Sequence, residues 1–376
     1  MFDKLAKYDC KIKARYEGAV DPGVVPQYSD FNNLDSLAKH SGRTKMGSLF
    51  TRRAVMAGGV SAFALASSGI VQTQAQAKQK LKFSCAFTET DPRAEAYKAF
   101  AAAIRDDFDF EPYWGNTLFK QGTELVALQR DNLDLCNLAP ADISKQIPAW
   151  SLLTSAYLFR DADHMKKVFK SDVGKEFIKM AKDQLGIQII TPVYFGARNV
   201  NLKPDKQIKT PADLQGIKLR IPPGEFWQFL GESLGANPTP VAYAELYTAL
   251  QTGTVDGQDN PLVNSKLMKF DEVTSQFVLT RHVIGYDVMT IRSKIWDAMK
   301  PEQQAKFQAA ADKAMDDNTA KFISQEAEVI AYFKKEGKKV YEPDQDAFRS
   351  FAQKKYVEKY GNDWPKGALE QIDAVK

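Results

Sequence analysis

Histidine and cysteine are scarce in this chain. Three histidines (His40, His164 and His282) and three cysteines (Cys10, Cys85 and Cys136) are spread over 376 residues. No CxxC, HxxxH or HExxH spacing occurs, so the common zinc frameworks are missing. Also missing are a GxSxG elbow, a Walker A loop and a GxGxxG after a strand. That leaves no catalytic set and no cofactor signature. Excess charge is missing from most of the molecule. Residues 1–77 hold ten Lys/Arg and six Asp/Glu, whereas the rest holds 41 of each. A neutral body removes the electrostatic footprint of nucleic-acid binding. Long apolar runs are absent as well. The best candidate, Ala54 to Val71, is barely 18 residues long and diluted by Gly and Ser.

What is present begins with that run. Arg52 and Arg53 precede it, and Ala75-Gln76-Ala77 closes it in a small-x-small cleavage pattern. The paired arginines and modest hydrophobicity resemble a Tat signal more than a Sec signal. A membrane anchor is the alternative, disfavoured by length. Translation starts at Met1 with a long leading region, or at Met46. In either case the mature chain is expected to begin near Lys78 and to act outside the cytoplasm.

The mature part alternates strand and helix patterns. "KLKFSCAF" (80–87) predicts a strand, and 91–107 a helix capped by Asp91. "FDFEPYW" and "LDLCNL" predict two further strands, with a helix over "QGTELVALQRDN" between them. This rhythm predicts an α/β fold with a mostly parallel sheet. Further strands are expected at 187–195, 216–223 and 283–291, and helices at 162–170, 172–185, 345–360 and 366–375. A nearly unbroken helical pattern from Pro301 to Gly337 is long enough to brace two domains. Cys85 and Cys136 each sit in an apolar strand, which fits buried free thiols better than a disulfide.

Two arginines stand out. Arg198 ends an apolar β-run, and Arg220 lies between Leu219 and Ile221 in "IKLRIPP". A cation among apolar neighbours either closes a structural ion pair or serves a polar cleft, and spacing alone favours the pair. Tyr194, Phe195, Phe226, Trp227, Tyr243 and Tyr247 form an aromatic set, mostly core, of which a few can line a cleft. "LQTGTVDGQDNPL" (250–262) crowds polar groups into what reads as a turn between Gly253 and Pro261.

The stretch "DLQGIKLRIPPGEFWQFLGESLGANPTPVAYAELYTALQTGTVDGQDNPL" closely resembles the substrate-binding proteins of TRAP transporters, the DctP family. The similarity runs from about Lys80 to the C-terminal helices. It implies a two-lobed periplasmic-binding-protein clamp with mixed, mostly parallel sheets, a ligand cleft between the lobes and a long helix spanning both. Lobe I is expected at 78–195 plus 286–325, and lobe II at 196–285 plus 326–376. By the same resemblance Arg220 pairs with a substrate carboxylate, Arg198 assists and Asn260 reaches the ligand. Tyr243 lines the cleft; of the aromatic set, Trp227 and Phe226 are the further candidates for covering the apolar part of the ligand. Gln258 and Asp259 are expected to fix the turn that carries Asn260.

The resemblance implies a monomer that binds a small organic anion, needs no cofactor or metal, and delivers its ligand to a membrane permease. Pro222, Pro223 and Gly224 stand where sialic-acid binders carry an asparagine, and "LDLCNLAPAD" lacks the acidic residue those binders place after it. Both departures favour a smaller or more apolar 2-oxo or hydroxy acid over a polyhydroxylated one, with a sulfonate as an alternative. Two rival functions are a ligand sensor and a secreted enzyme using the same cleft.

Overall fold

The computed structural model describes residues 78–376. The signal expected at 1–77, with Arg52, Arg53 and the cleavage point after Ala77, lies outside the described residues. The chain first builds β1 (Gln79–Ser84), α1 (Pro92–Ile104), β2 (Phe108–Tyr113), α2 (Glu124–Gln129), β3 (Leu135–Leu138) and α3 (Pro140–Ser144). Helices α4 (Ala162–Lys170) and α5 (Asp172–Leu185) lead into the long strand β4 (Ile187–Leu202). Short elements follow: β5 (Lys218–Ile221), α6 (Glu225–Ser233), β6 (Asn237–Pro240), α7 (Leu246–Thr252), β7 (Gly257–Pro261) and α8 (Leu262–Leu267). A second long strand, β8 (Gln276–Arg292), precedes α9 (Ser293–Ala298) and the long helix α10 (Pro301–Lys335). The chain ends with β9 (Lys339–Tyr341), α11 (Gln345–Tyr360) and α12 (Ala368–Ala374).

The nine strands form one sheet in the order β2-β1-β3-β8-β4-β7-β5-β6, with β9 on β8. Five of the eight pairings are parallel. The antiparallel ones all involve β4 or β8. These two strands run together from Ile187↔Arg292 to Leu202↔Gln276. One end of the pair carries β3, and through it β1 and β2. The other end carries β7, β5, β6 and β9. The two-lobed clamp therefore hangs on one shared ribbon, and the described residues cluster as one compact unit. Both strands outrun their expected bounds. Their outer residues, such as Asn199, Asn201 and Thr280, are polar but buried, so the alternating pattern breaks while the ladder continues.

Helix α10 spans 35 residues, about 50 Å. Its first half buries Phe307, Ala311 and Met315 among the side chains of β1 and α1. Its second half buries Phe322, Val329 and Phe333 in a different cluster, with Phe277 of β8 stacked on Phe333 at 4.0 Å. One helix thus pins both halves of the sheet. Cys85 and Cys136 are buried and free.

The middle of the ribbon is tight. The β4–β8 register shifts between Tyr194 and Gly196, where Gly196 has φ of 105°. A Cβ on Gly285 opposite would sit 2.5 Å from the Gly196 carbonyl oxygen. Backbone cannot yield as a flexible side chain can, so the strands would have to part. Gly285→Ala is expected to lower stability by about 1–3 kcal/mol, measured by urea denaturation. An unchanged midpoint would show that the ribbon opens without cost there.

Candidate functional site

The stretch 257–261 is a strand rather than a turn. All five residues of β7 are buried between β4 and β5. Gly253, with φ of 75°, ends α7, and the reversal is complete by Asp256. Polar residues tolerate the sheet interior because they satisfy one another. Gln258 donates to Asn201 Oδ1 at 3.0 Å and to Ser265 Oγ at 3.2 Å, and accepts from Asn260 Nδ2 at 2.6 Å. As expected, Gln258 and Asp259 hold the segment that carries Asn260.

Asp259 is the hub. Its Oδ2 accepts from Arg198 Nε at 2.6 Å and lies 3.2 Å from His282 Nε2. Arg198 Nη2 also reaches the Asp259 carbonyl at 2.7 Å. Burial keeps His282 below its usual pKa, hence neutral. Asp259, ionised beside Arg198, can only accept, so the proton of the neutral His282 sits on Nε2 and Nδ1 accepts from the Thr280 hydroxyl. For Arg198 the ion-pair alternative is therefore realised, which leaves its Nη1 uncommitted.

Arg220 is different. It sits on β5 between Thr239 of β6 and Gln258 of β7, and is 1% exposed. Its Nε donates to the Val241 carbonyl at 2.8 Å, while Nη2 has no partner. Among the described residues no carboxylate lies within ion-pair distance. Burial lowers its pKa to about 10, offset in part by Asp259 and reinforced by Arg198. It remains charged at neutral pH with an unused donor.

One cleft, partly open to solvent, collects these groups. Arg198, Arg220, Asn260, Tyr243 and Trp227 all line it. The Arg198 guanidinium lies 4.9 Å from the Trp227 ring and that of Arg220 5.9 Å from the Tyr243 ring. Phe226 does not line this cavity. It faces an adjacent apolar pocket and stacks on Tyr360, because its position on α6 turns it away from Arg220.

The sequence matches the family described as "Bacterial extracellular solute-binding protein, family 7" (DctP) over residues 83–363. The chain belongs to that family. A "Sialic acid-binding periplasmic protein SiaP" from Vibrio cholerae is 30% identical over 63% of this chain and 74% of its own length. A "2,3-diketo-L-gulonate-binding periplasmic protein YiaO" from Escherichia coli is 26% identical over 84% of this chain and 98% of its own. Among solved structures, a TRAP periplasmic solute-binding protein from Roseobacter denitrificans with bound 3-deoxy-D-manno-oct-2-ulosonic acid superposes with a TM-score of 0.78. It is 38% identical and covers 80% of this chain and 100% of that one. Among the described residues no helix is long and apolar enough to cross a membrane.

Several cavity residues of this family 7 protein were not legible beforehand. Arg93 grips Asp91 with Nε at 2.9 Å and Nη2 at 2.8 Å, reaches Asp287 at 3.3 Å, and lies between the rings of Phe87 and Phe195. One signal was available: an arginine in the first turn of a helix opposes the helix dipole and calls for a local acid. Gln121, Glu124, Asn137, Asp142, Asn264 and Asp287 also line the cavity. Their charges look like ordinary helix and strand polarity until the chain brings them together.

Burial, then the Asp142 charge, pushes the Glu124 carboxyl up to about 7. Burial pushes Asp287 up to about 6, against the pull of Arg93 and Asn137. Both carboxyls hold a proton more tightly folded than unfolded. Their stabilisation is complete below the ordinary carboxylate range and is lost as pH rises through about 6 to 7. The melting temperature of the ligand-free protein is expected to fall between pH 5 and pH 8. Glu124→Gln, which has no such proton to release, should flatten that fall. Parallel pH profiles for the two proteins would contradict the assignment.

Proposed function

We propose that this protein is the extracytoplasmic capture subunit of a TRAP-type transporter and that Arg220 holds the carboxylate of a small organic acid. The observation that carries this reading is the unpaired Nη2 of a fully buried, still charged Arg220 in the wall of the cleft that Arg198, Asn260, Tyr243 and Trp227 also line. A structural arginine would have been given an acid, as Arg198 was given Asp259. A carboxylate supplies the missing acceptor with a charge-assisted bond of about 1.5–3 kcal/mol. The uncommitted Nη1 of Arg198 adds positive charge, and Asn260, Tyr243 and Trp227 shape the ligand's surroundings. The organic acids held by solved relatives, such as 3-deoxy-D-manno-oct-2-ulosonic acid, are the first ligands to try.

The proposed lobes are 78–195 plus 286–325 and 196–285 plus 326–376, and the register shift beside Gly196, opposite Gly285 on the β4–β8 ribbon, supports a change-over there. Ligand pairing favours the closed clamp through its differential affinity for that state. The closed protein hands the ligand to the membrane permease as a monomer and performs no covalent chemistry. Export through the Tat-like signal in residues 1–77 places it in the periplasm.

Replacement of Arg220 separates binding from folding. Arg220→Met removes a buried cation and its unmet donor, so the ligand-free variant should melt no lower than the parent. The same variant should lose at least about tenfold in affinity for an acid ligand, read by calorimetric titration. Arg220→Lys should also bind more weakly, since a point charge lacks the planar fork. Unchanged affinity in both variants would refute the arginine–carboxylate reading.

A further inference from the structure

Among the described residues that line the cleft, one side-chain hydrogen bond joins the two proposed lobes. The Tyr243 N–H donates to Gln121 Oε1 at 3.0 Å, and both residues belong to the cleft wall. An N–H can only donate, so the Gln121 amide presents its oxygen. Asn264 also reaches across, to Asp91 at 3.0 Å, but Asp91 lies outside the cleft wall. Each end of the Gln121 bond is held from its own side. Gln121 stands in the turn before α2, and Glu124 closes that turn. The Glu124 oxygens accept from Gly122 N at 2.7 Å and from Asn116 Nδ2 at 3.0 Å. Gly122 has φ of 85°, a conformation that favours glycine. On the other side, Arg220 Nε donates to the Val241 carbonyl at 2.8 Å, and Val241 N donates to the Ile221 carbonyl at 3.1 Å. Residues 241–243 are therefore gripped by β5 at one end and by Gln121 at the other. Neither bond uses Arg220 Nη2, so a ligand on that donor and the Gln121 bond can be present together.

We propose that Gln121 is a positioning residue for ligand capture: it latches the lobes together by accepting the Tyr243 N–H, and so slows release of the bound acid. The proposal rests on the two-lobe clamp reading. When the lobes part, Gln121 and Tyr243 separate and water takes both groups. The bond therefore belongs to the closed state alone, and a contact made in only one of two states shifts the population toward it. Encounter with the ligand precedes closure, so the latch acts on the rate of escape and hardly on the rate of arrival. Exchanging water for one protein partner is worth little in net terms, which suits a latch that has to open again. The same segment carries the Tyr243 ring, 5.9 Å from the Arg220 guanidinium, so the latch also fixes one wall of the site that Arg220 serves.

The test is stopped-flow tryptophan fluorescence of the full-length protein, with Trp227 of the cleft wall among the reporters. The probes are 3-deoxy-D-manno-oct-2-ulosonate, D-gluconate and 2-oxooctanoate, and the tightest binder is carried forward. Gln121→Met keeps the side-chain length and loses the acceptor. It should release the probe about three- to tenfold faster than the parent, while association changes less than about twofold. An unchanged release rate, or a loss confined to association, would overturn the proposal. A second measurement needs no variant to fold. Hydrogen exchange at the Tyr243 amide of the parent should slow about tenfold or more when the probe binds. Equal exchange with and without probe would show that the bond does not form on closure, and the proposal would fall. Arg220→Met separates the readings. If it spares probe affinity while Gln121→Met speeds release, the arginine pairing fails and the latch stands. If Arg220→Met loses affinity while Gln121→Met matches the parent, the latch fails alone. If no probe binds the parent, the capture reading and the latch fail together.

Discussion

Two guanidinium groups are buried beside one carboxylate, and the cleft is organised around that imbalance. Asp259 neutralises Arg198 through a 2.6 Å bond and is held in turn by a neutral His282. Arg220 feels the same carboxylate only at a distance and feels Arg198 as a repulsion. An ion pair and a spare cation at full burial are costly. Around them Gln258, Asn260, Asn201 and Ser265 satisfy one another, while Asp259 Oδ1 and Arg220 Nη2 stay without a partner. Removing Asp259 would strand both arginines at once, so the strand that carries it has to be central and rigid. β7 is both, lying between β4 and β5 with every residue buried.

That placement explains why local propensity misled at 257–261. Gly, Asp, Asn and Pro signal a reversal when they stand on a surface. In β7 the same residues form a ladder, because their side chains find partners on β4 and β8, far off in sequence, and on the helix α8 that follows. The resemblance to TRAP binding proteins still named Arg220, Arg198, Asn260 and Tyr243, the aromatic cluster offered Trp227, and all five meet in one cavity. Phe226 was drawn in by its neighbour Trp227, yet residues adjacent on a helix face different sides. Helix α10 and the strand–helix alternation were readable from periodicity, since they depend on local pattern alone. The fusion of the lobes into one sheet through β4 and β8 was not, because antiparallel pairing over that sequence separation leaves no local mark.

Arg93, Glu124, Asn264 and Asp287 show the limit from the other side. Each has an unremarkable sequence setting: a helix start, a first-turn acid, a short helix, a strand. Each becomes unusual only when the fold removes water from it. Burial drives the Glu124 carboxyl up to about 7, and a tertiary partner, Asp142, adds to the shift. Chemistry that arises from desolvation is set by which elements meet, and a linear reading sees residue types before it sees neighbours.

Two unmet polar groups in the cavity wall raise the free energy of the protein. Arg220 holds a donor without an acceptor, and Asn264 holds an acceptor without a donor, both fully buried in the same wall. Leaving such groups unmet costs more than a typical hydrogen bond contributes once made. A molecule that offers an acceptor to the first and a donor to the second therefore lowers the free energy twice. A purely anionic molecule can do so only once, and a purely apolar one not at all. The ribbon of β4 and β8 and the brace of α10 bear this cost, since their packed cores lie away from the cleft. A ligand held as proposed would draw its affinity from unmet polarity in a rigid frame.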